Sequence, residues 1–237
     1  MNYGDSKNAT MKLSRDRFLI PCWSLAKAAE PMRPLYSNLS GQPWAASFRG
    51  CLFERQVLKH LDGINTDTNL LIRRLTDSDQ VTWTYRGPIQ RFTFQESTVI
   101  DKIKNTVKTN EPLHLVPLAL NFPAVGSIVY HPNEVLTCVQ ITIRSEHPIA
   151  VSGLRRIQGW LKGGTWSAGL RPKRRPWRFV FIVPPEMAST FTLQELKGDT
   201  KLGAWAGKVE QYLYINLVGT RVFSSDMRHP QPVMHSG

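Results

Sequence analysis

The chain has 237 residues, 41% hydrophobic and 20% charged, enough for one substantial core with an attached arm. No apolar run approaches the roughly 20 residues of a membrane span, and Cys22, Cys51 and Cys138 lack paired metal-ligand spacing, so a membrane anchor and a zinc ribbon are excluded. The formal net charge of +12 directs attention to polyanionic partners.

The first 18 residues carry no continuous apolar segment of the secretory type, and the three cysteines read as reduced, buried small hydrophobes of a nuclear or cytosolic protein. Residues 1–45 hold Pro21, Pro31, Pro34 and Pro43 with little periodicity and read as an irregular arm. A domain over residues 46–222 follows. Phe53, Val57 and Leu61 recur at helical spacing, which predicts a helix starting near Phe48. Short strand-like runs come next, at 70–74, 81–85 and 91–94, with Gly87-Pro88 punctuating the latter pair. The run Leu113 to Leu120 suits a buried strand, with Pro117 placing it at an edge or an irregularity.

A hairpin is predicted from Val125 to Tyr130, through His131-Pro132-Asn133-Glu134, into Val135 to Ile143. Its second arm is apolar on both faces, the mark of a central strand in a sheet covered by helices. Pro148 suits a first helical turn, with Ala150, Leu154, Ile157 and Leu161 as the apolar stripe. Trp177 to Val183 reads as a strand stopped by Pro184-Pro185, and Trp205, Val209, Tyr212 and Leu213 as a last helix. Residues 223–237 read as a disordered tail. The fold class expected is therefore α/β, a central mixed sheet flanked by helices.

Charge is concentrated by position. Between His147 and Pro185 there is no Asp or Glu, while Arg155, Arg156, Lys162, Arg171, Lys173, Arg174, Arg175 and Arg178 supply eight positive charges. Such a field draws polyanions by releasing their condensed counterions. Nucleic acid, DNA foremost, is the expected partner, with Arg155, Arg156, Lys162, Lys173, Arg174 and Arg175 as its contacts. The run from Arg171 to Arg178 also has the composition of a nuclear import signal. Trp160, Trp166 and Trp177, interleaved with these charges, serve either as base-stacking platforms or as core.

Gln140 and Thr142 stand two apart on the hairpin's second strand and share one face. That spacing suits a carboxylate and a lysine serving one metal and one phosphate; here it holds an amide and a hydroxyl. The strings RGCLFER (49–55), LHLVPLALNFPAVGSIVY (113–130), VQITIRSEHPI (139–149), PWRFVFIVPP (176–185) and AWAGKVEQYLYIN (204–216), in this order, resemble the restriction-endonuclease-like domain of fungal Crinkler and retrotransposon-hot-spot proteins. The resemblance implies a PD-(D/E)xK nuclease fold with its active site on the strand pair. It places the first-helix acid and metal ligand at Glu54, the second-strand Asp at Gly126, the third-strand positions at Gln140 and Thr142, and a further polar residue at His147.

Glycine offers no metal ligand, the Gln140 amide neutralises no charge, and Thr142 cannot act as a cationic clamp. An even-length turn over His131 to Glu134 would moreover put Gly126 opposite Val139, away from Gln140. A nucleic-acid-binding protein with a degenerate metal site is thus the leading expectation. An active Mg²⁺-dependent nuclease, with Mg²⁺ as cofactor, is the first alternative. A protein-interaction effector or mobile-element remnant without catalysis, acting in the nucleus or cytoplasm, including that of a host cell, is the second. No GxxxxGK[ST] loop is present, so an ATPase module would be a separate partner.

Overall fold

The computed structural model describes residues 45–118, 122–162, 165–172, 175–198 and 202–215. The expected arm, apart from Ala45, and the expected tail at 223–237 lie outside the described residues. The chain divides into two units, residues 1–52 and 53–237. The helix α1 (Ala46–Asp62) contains the boundary. In the first unit Leu52 is buried and Cys51 exposed, the latter contrary to the expectation of buried cysteines; Cys138 in the second unit is fully buried.

The second unit is a mixed α/β structure built on an eight-stranded sheet of order β2-β1-β10-β8-β6-β5-β4-β3. The strands β1 (Thr68–Arg74) and β2 (Gln80–Tyr85) form an antiparallel hairpin, and β3 (Gln90–Phe94) lies at the opposite edge. A helix α2 (Glu96–Thr109), absent from the sequence expectations, crosses from β3 to its parallel neighbour β4 (Leu113–Pro117). Asn110 in the left-handed region ends that helix. β4, β5 (Ser127–Tyr130) and β6 (Thr137–Ile141) are successive antiparallel neighbours. The residues Ile149–Ala150 form a short strand β7, and α3 (Val151–Trp160) then returns the chain to β8 (Trp177–Val183), parallel to β6. A two-residue strand β9 (Leu196–Lys197) pairs with β7, and β10 (Val209–Ile215) runs parallel to β8.

Two expectations need correction here. Pro148 precedes the first turn of α3, because Ile149 and Ala150 are held extended by β9. The segment at Val209, Tyr212 and Leu213 is strand: its backbone pairs residue by residue with β8 from Val209↔Trp177 to Ile215↔Val183.

On one face of the sheet, Ile128, Tyr130, Cys138, Phe179, Phe181 and Leu213 pack with Val99 and Ile103 of α2 and Val151, Leu154, Ile157 and Trp160 of α3 in one core. The helices cover this face because their apolar stripes match it. The sheet also curls: Tyr85 of β2, at one end of the strand order, reaches His114 of β4, next to the other end. The other face therefore closes on itself around buried Ile72, Trp83, Val139, Val180 and Ile182.

Candidate functional site

The hairpin register decides which side chains meet. Ser127 pairs with Val139, Ile128 with Cys138 and Val129 with Thr137, so the turn has an odd number of residues, contrary to the even turn expected. Asn133 adopts φ 63° and Glu134 N–H donates to the His131 carbonyl, the geometry that removes one residue from the register. At the far end, just before β5, Gly126 N–H donates to the Val139 carbonyl at 2.9 Å, and the register carries Gly126 to Gln140. A Cβ placed on Gly126 would lie 4.0 Å from Gln140 Oε1 and no closer than 3.5 Å to any atom. The second-strand and third-strand positions are therefore brought together.

Around them the chemistry is apolar. Gln140 is half-buried, donates Nε2–H to the Ile141 carbonyl at 3.2 Å, and has Phe181 as its lateral neighbour on β8. Phe181 packs against Phe179 and Phe191 at ring separations of 4.9 and 5.0 Å and against His147 at 6.5 Å. Thr142 is buried; its N–H continues the ladder to Ile182, and its Oγ1 accepts the Arg144 N–H. Burial, with Arg144 adding to it, lowers the His147 pKa, so the imidazole is held neutral. Gln194, which sequence reasoning missed, accepts the His147 N–H at Oε1 and donates to the Ser145 and Thr192 carbonyls. It also exchanges two hydrogen bonds with Gln211, one each way. An isolated Gln in a polar stretch carries no sequence signal for such a clamp.

Glu54 stands apart. Its side chain is exposed on α1, and no hydrogen bond or ion pair joins it to Gln140, Thr142 or His147 among the described residues. Among the described residues no group of three or more His, Cys, Asp or Glu side chains is placed to hold a metal ion.

The basic segment sorts itself by environment. Arg156 pairs with Glu96 of α2 at 2.9 Å, and Arg178 turns toward Glu134 at 3.6 Å. Arg171 Nε donates to the Leu161 carbonyl and Arg175 Nη1 to the Asn133 carbonyl. Arg155 is half-buried, while Lys162 and Arg175 are exposed; Lys173 and Arg174 lie outside the described residues. Trp160 and Trp177 are buried core, with Trp177 Nε1 donating to the Leu170 carbonyl, which overturns their use as stacking platforms. The side chain of Trp166 is also outside the described residues.

Arg178, Arg175 and Lys162 lie toward the start of β8, away from Gln140. Thr137, at the start of β6, pairs with Arg178 at the start of β8, whereas Gln140 is three residues further along, about 10 Å at strand rise. Arg175 precedes β8, and Lys162 follows the end of α3 that returns to it.

Compared with family models, curated proteins and solved structures, the chain matches none. No helix among the described residues is long and apolar enough to cross a membrane.

Proposed function

We propose that this chain binds nucleic acid, DNA foremost, through its acid-free basic segment, on a nuclease-like scaffold of the Crinkler and retrotransposon-hot-spot type whose metal site has lost its carboxylates. The observation that carries the reading is the approach of position 126 to Gln140: the backbone arrangement of a strand-pair metal site, with a glycine and an amide where anionic oxygens belong. The element order supports the scaffold part, because β4, β5 and β6 form a meander preceded by α2 and followed by a crossover helix into β8. In that order α2, rather than α1, is the helix directly ahead of the meander.

The aromatic packing of Phe179, Phe181 and Phe191 beside Gln140 supports loss of catalysis, since a hydrated cation has no place against it. Each ~1.4 kcal/mol of lost transition-state stabilisation is tenfold in rate, and a missing charge-neutralising ligand removes several. The unaltered protein should leave plasmid and single-stranded DNA intact in Mg²⁺ or Mn²⁺. Gly126→Asp combined with Gln140→Glu should gain divalent-metal binding by calorimetry and then detectable cleavage. Ready cleavage by the unaltered protein, or a folded double variant that takes up no metal, would overturn the reading.

A further inference from the structure

A cleft of about 440 Å³ opens between β2 and the starts of β8 and β10, with Thr82, Thr84, Glu134, Arg175, Arg178 and Glu210 on its walls. Its distinguishing wall is a sheet edge. Among the described residues β2 is a terminal strand, paired with β1 on one side. Backbone direction alternates along a strand, and two bonds fix its phase here. Asp79 C=O accepts from Arg74 of β1, so odd-numbered residues of β2 face β1; Arg86 N–H donates instead to His131 Nε2, away from β1. The backbone N–H and C=O groups of Thr82 and Thr84 therefore point into the cleft. At Arg86 the edge is closed by His131; at Thr84 and Thr82 no backbone partner is present among the described residues.

The charges of the cleft are unequally matched. Glu134 is flanked by Arg178 at 3.6 Å and Arg86 at 3.4 Å, and Glu210 accepts the Tyr212 hydroxyl at 2.7 Å. Arg175 is exposed; among the described residues its guanidinium bonds the Asn133 carbonyl and has no carboxylate partner.

We propose that this cleft binds an extended peptide segment of a protein partner, which adds a strand to β2 through Thr82 and Thr84 and presents an acidic side chain to Arg175. Main-chain pairing supplies affinity in such strand addition, and a side-chain contact supplies selectivity. A guanidinium fixed by one neutral hydrogen bond keeps its remaining donors for a carboxylate. Arg86, already bonded on both its backbone and its side chain, sets the limit of the added strand. The inference goes beyond nucleic-acid binding and does not depend on it.

The test uses the full chain and a fluorescein-labelled, end-capped peptide of sequence Thr-Val-Glu-Val-Thr, read by anisotropy. Three comparison ligands complete it: the same peptide with Lys for Glu, the same peptide N-methylated at alternate residues, and an oligothymidylate of similar length. The acidic peptide should bind, the Lys peptide should bind roughly tenfold or more weakly, and N-methylation should abolish binding. Thr82→Pro removes an outward N–H that β1 does not use, a substitution edge strands accept, and should weaken binding roughly tenfold with little change in the unfolding midpoint. Arg175→Glu should reverse the preference toward the Lys peptide, a result that loss of fold cannot produce. Equal binding of the N-methylated or Lys peptide, or no peptide binding at all, would overturn the proposal. So would displacement by oligothymidylate that is insensitive to Thr82→Pro, which would make the cleft a nucleic-acid site.

Discussion

His114 illustrates how a single residue couples structure to solution conditions. Its ring is fully buried between Tyr85 Oη, 3.3 Å from Nδ1, and Ser127 Oγ, 2.9 Å from Nε2. Burial first, then the charges of Arg91 and His131, push its pKa from 6.5 down to about 3. The folded state thus binds fewer protons than the unfolded state between these limits, so the stability held above pH 6.5 is lost as pH falls toward 3. One such group contributes a slope of at most ~1.4 kcal/mol per pH unit. Urea unfolding between pH 7.5 and 4.5 should show this loss. His114→Phe should be destabilised by ~1–3 kcal/mol at pH 7.5, because Ser127 and Tyr85 lose a buried partner, yet show a shallower pH dependence. A parallel pH profile for the variant would contradict this assignment. Neither the partnership nor its burial was legible in the sequence, where His114 is one polar residue in an apolar run. Gln140 lies on β6 and Thr142 just beyond its end, and their relation to Gly126 turned on one residue of turn length. No composition rule distinguishes a turn through His131 to Glu134 from one shortened by an Asn133 in the left-handed region.

At the scale of elements, sequence periodicity succeeded where one face is buried and failed where burial is slight or two-sided. The stripe Phe53, Val57 and Leu61 is buried as expected, and so is that of α3. α2 escaped because only Val99, Ile103 and Thr106 are buried among many Lys and Thr residues, leaving too short an apolar stripe to register. β10 was misread because Gln211, Tyr212 and Leu213 are consecutively buried, so the alternation of a half-buried strand is absent and three apolar positions fall at helical intervals by accident. The glycines of α3 give a direct check on its docking. A Cβ at Gly153 would lie 1.9 Å from the Pro123 carbonyl oxygen, a backbone atom that cannot swing aside, beside Ala124 at φ 77°. Gly153→Ala should therefore destabilise by ~1–3 kcal/mol through overpacking. A Cβ at Gly159 would meet nothing within 4 Å among the described residues, so Gly159→Ala should behave oppositely, gaining ~0.5–1 kcal/mol from helix propensity. Urea unfolding of both variants measures the contrast, and equal effects would mean that α3 does not rest on the 123–124 backbone.

For the whole molecule, the consequence is that Arg175 and Arg178 stand at the start of β8, away from Gln140, an arrangement consistent with the proposal of a protein that holds nucleic acid without cutting where it holds. The sequence made the net charge of the 148–185 segment plain but not its division of labour. Arg156 and Arg178 are paired with Glu96 and Glu134, acids distant in sequence, and a charge already paired releases few counterions on meeting a phosphate. Contacts should fall mainly to Lys162, Arg175 and the two charges at Lys173 and Arg174, with Arg155, which keeps an intramolecular partner of its own, as a fifth. With about five phosphates of duplex DNA contacted, log affinity against log salt should have a slope of roughly −4 to −5. Replacing Lys173, Arg174 and Arg175 with Ala should reduce that slope by up to about three and weaken unrelated sequences alike. Arg178→Ala should leave the slope unchanged while lowering stability, because Glu134 loses one of its cationic neighbours. Filter-binding titrations at several salt concentrations separate the two variants: a triple variant with an unchanged slope would make the loop a solvated surface, and a slope that falls with Arg178→Ala would move the interface into the cleft.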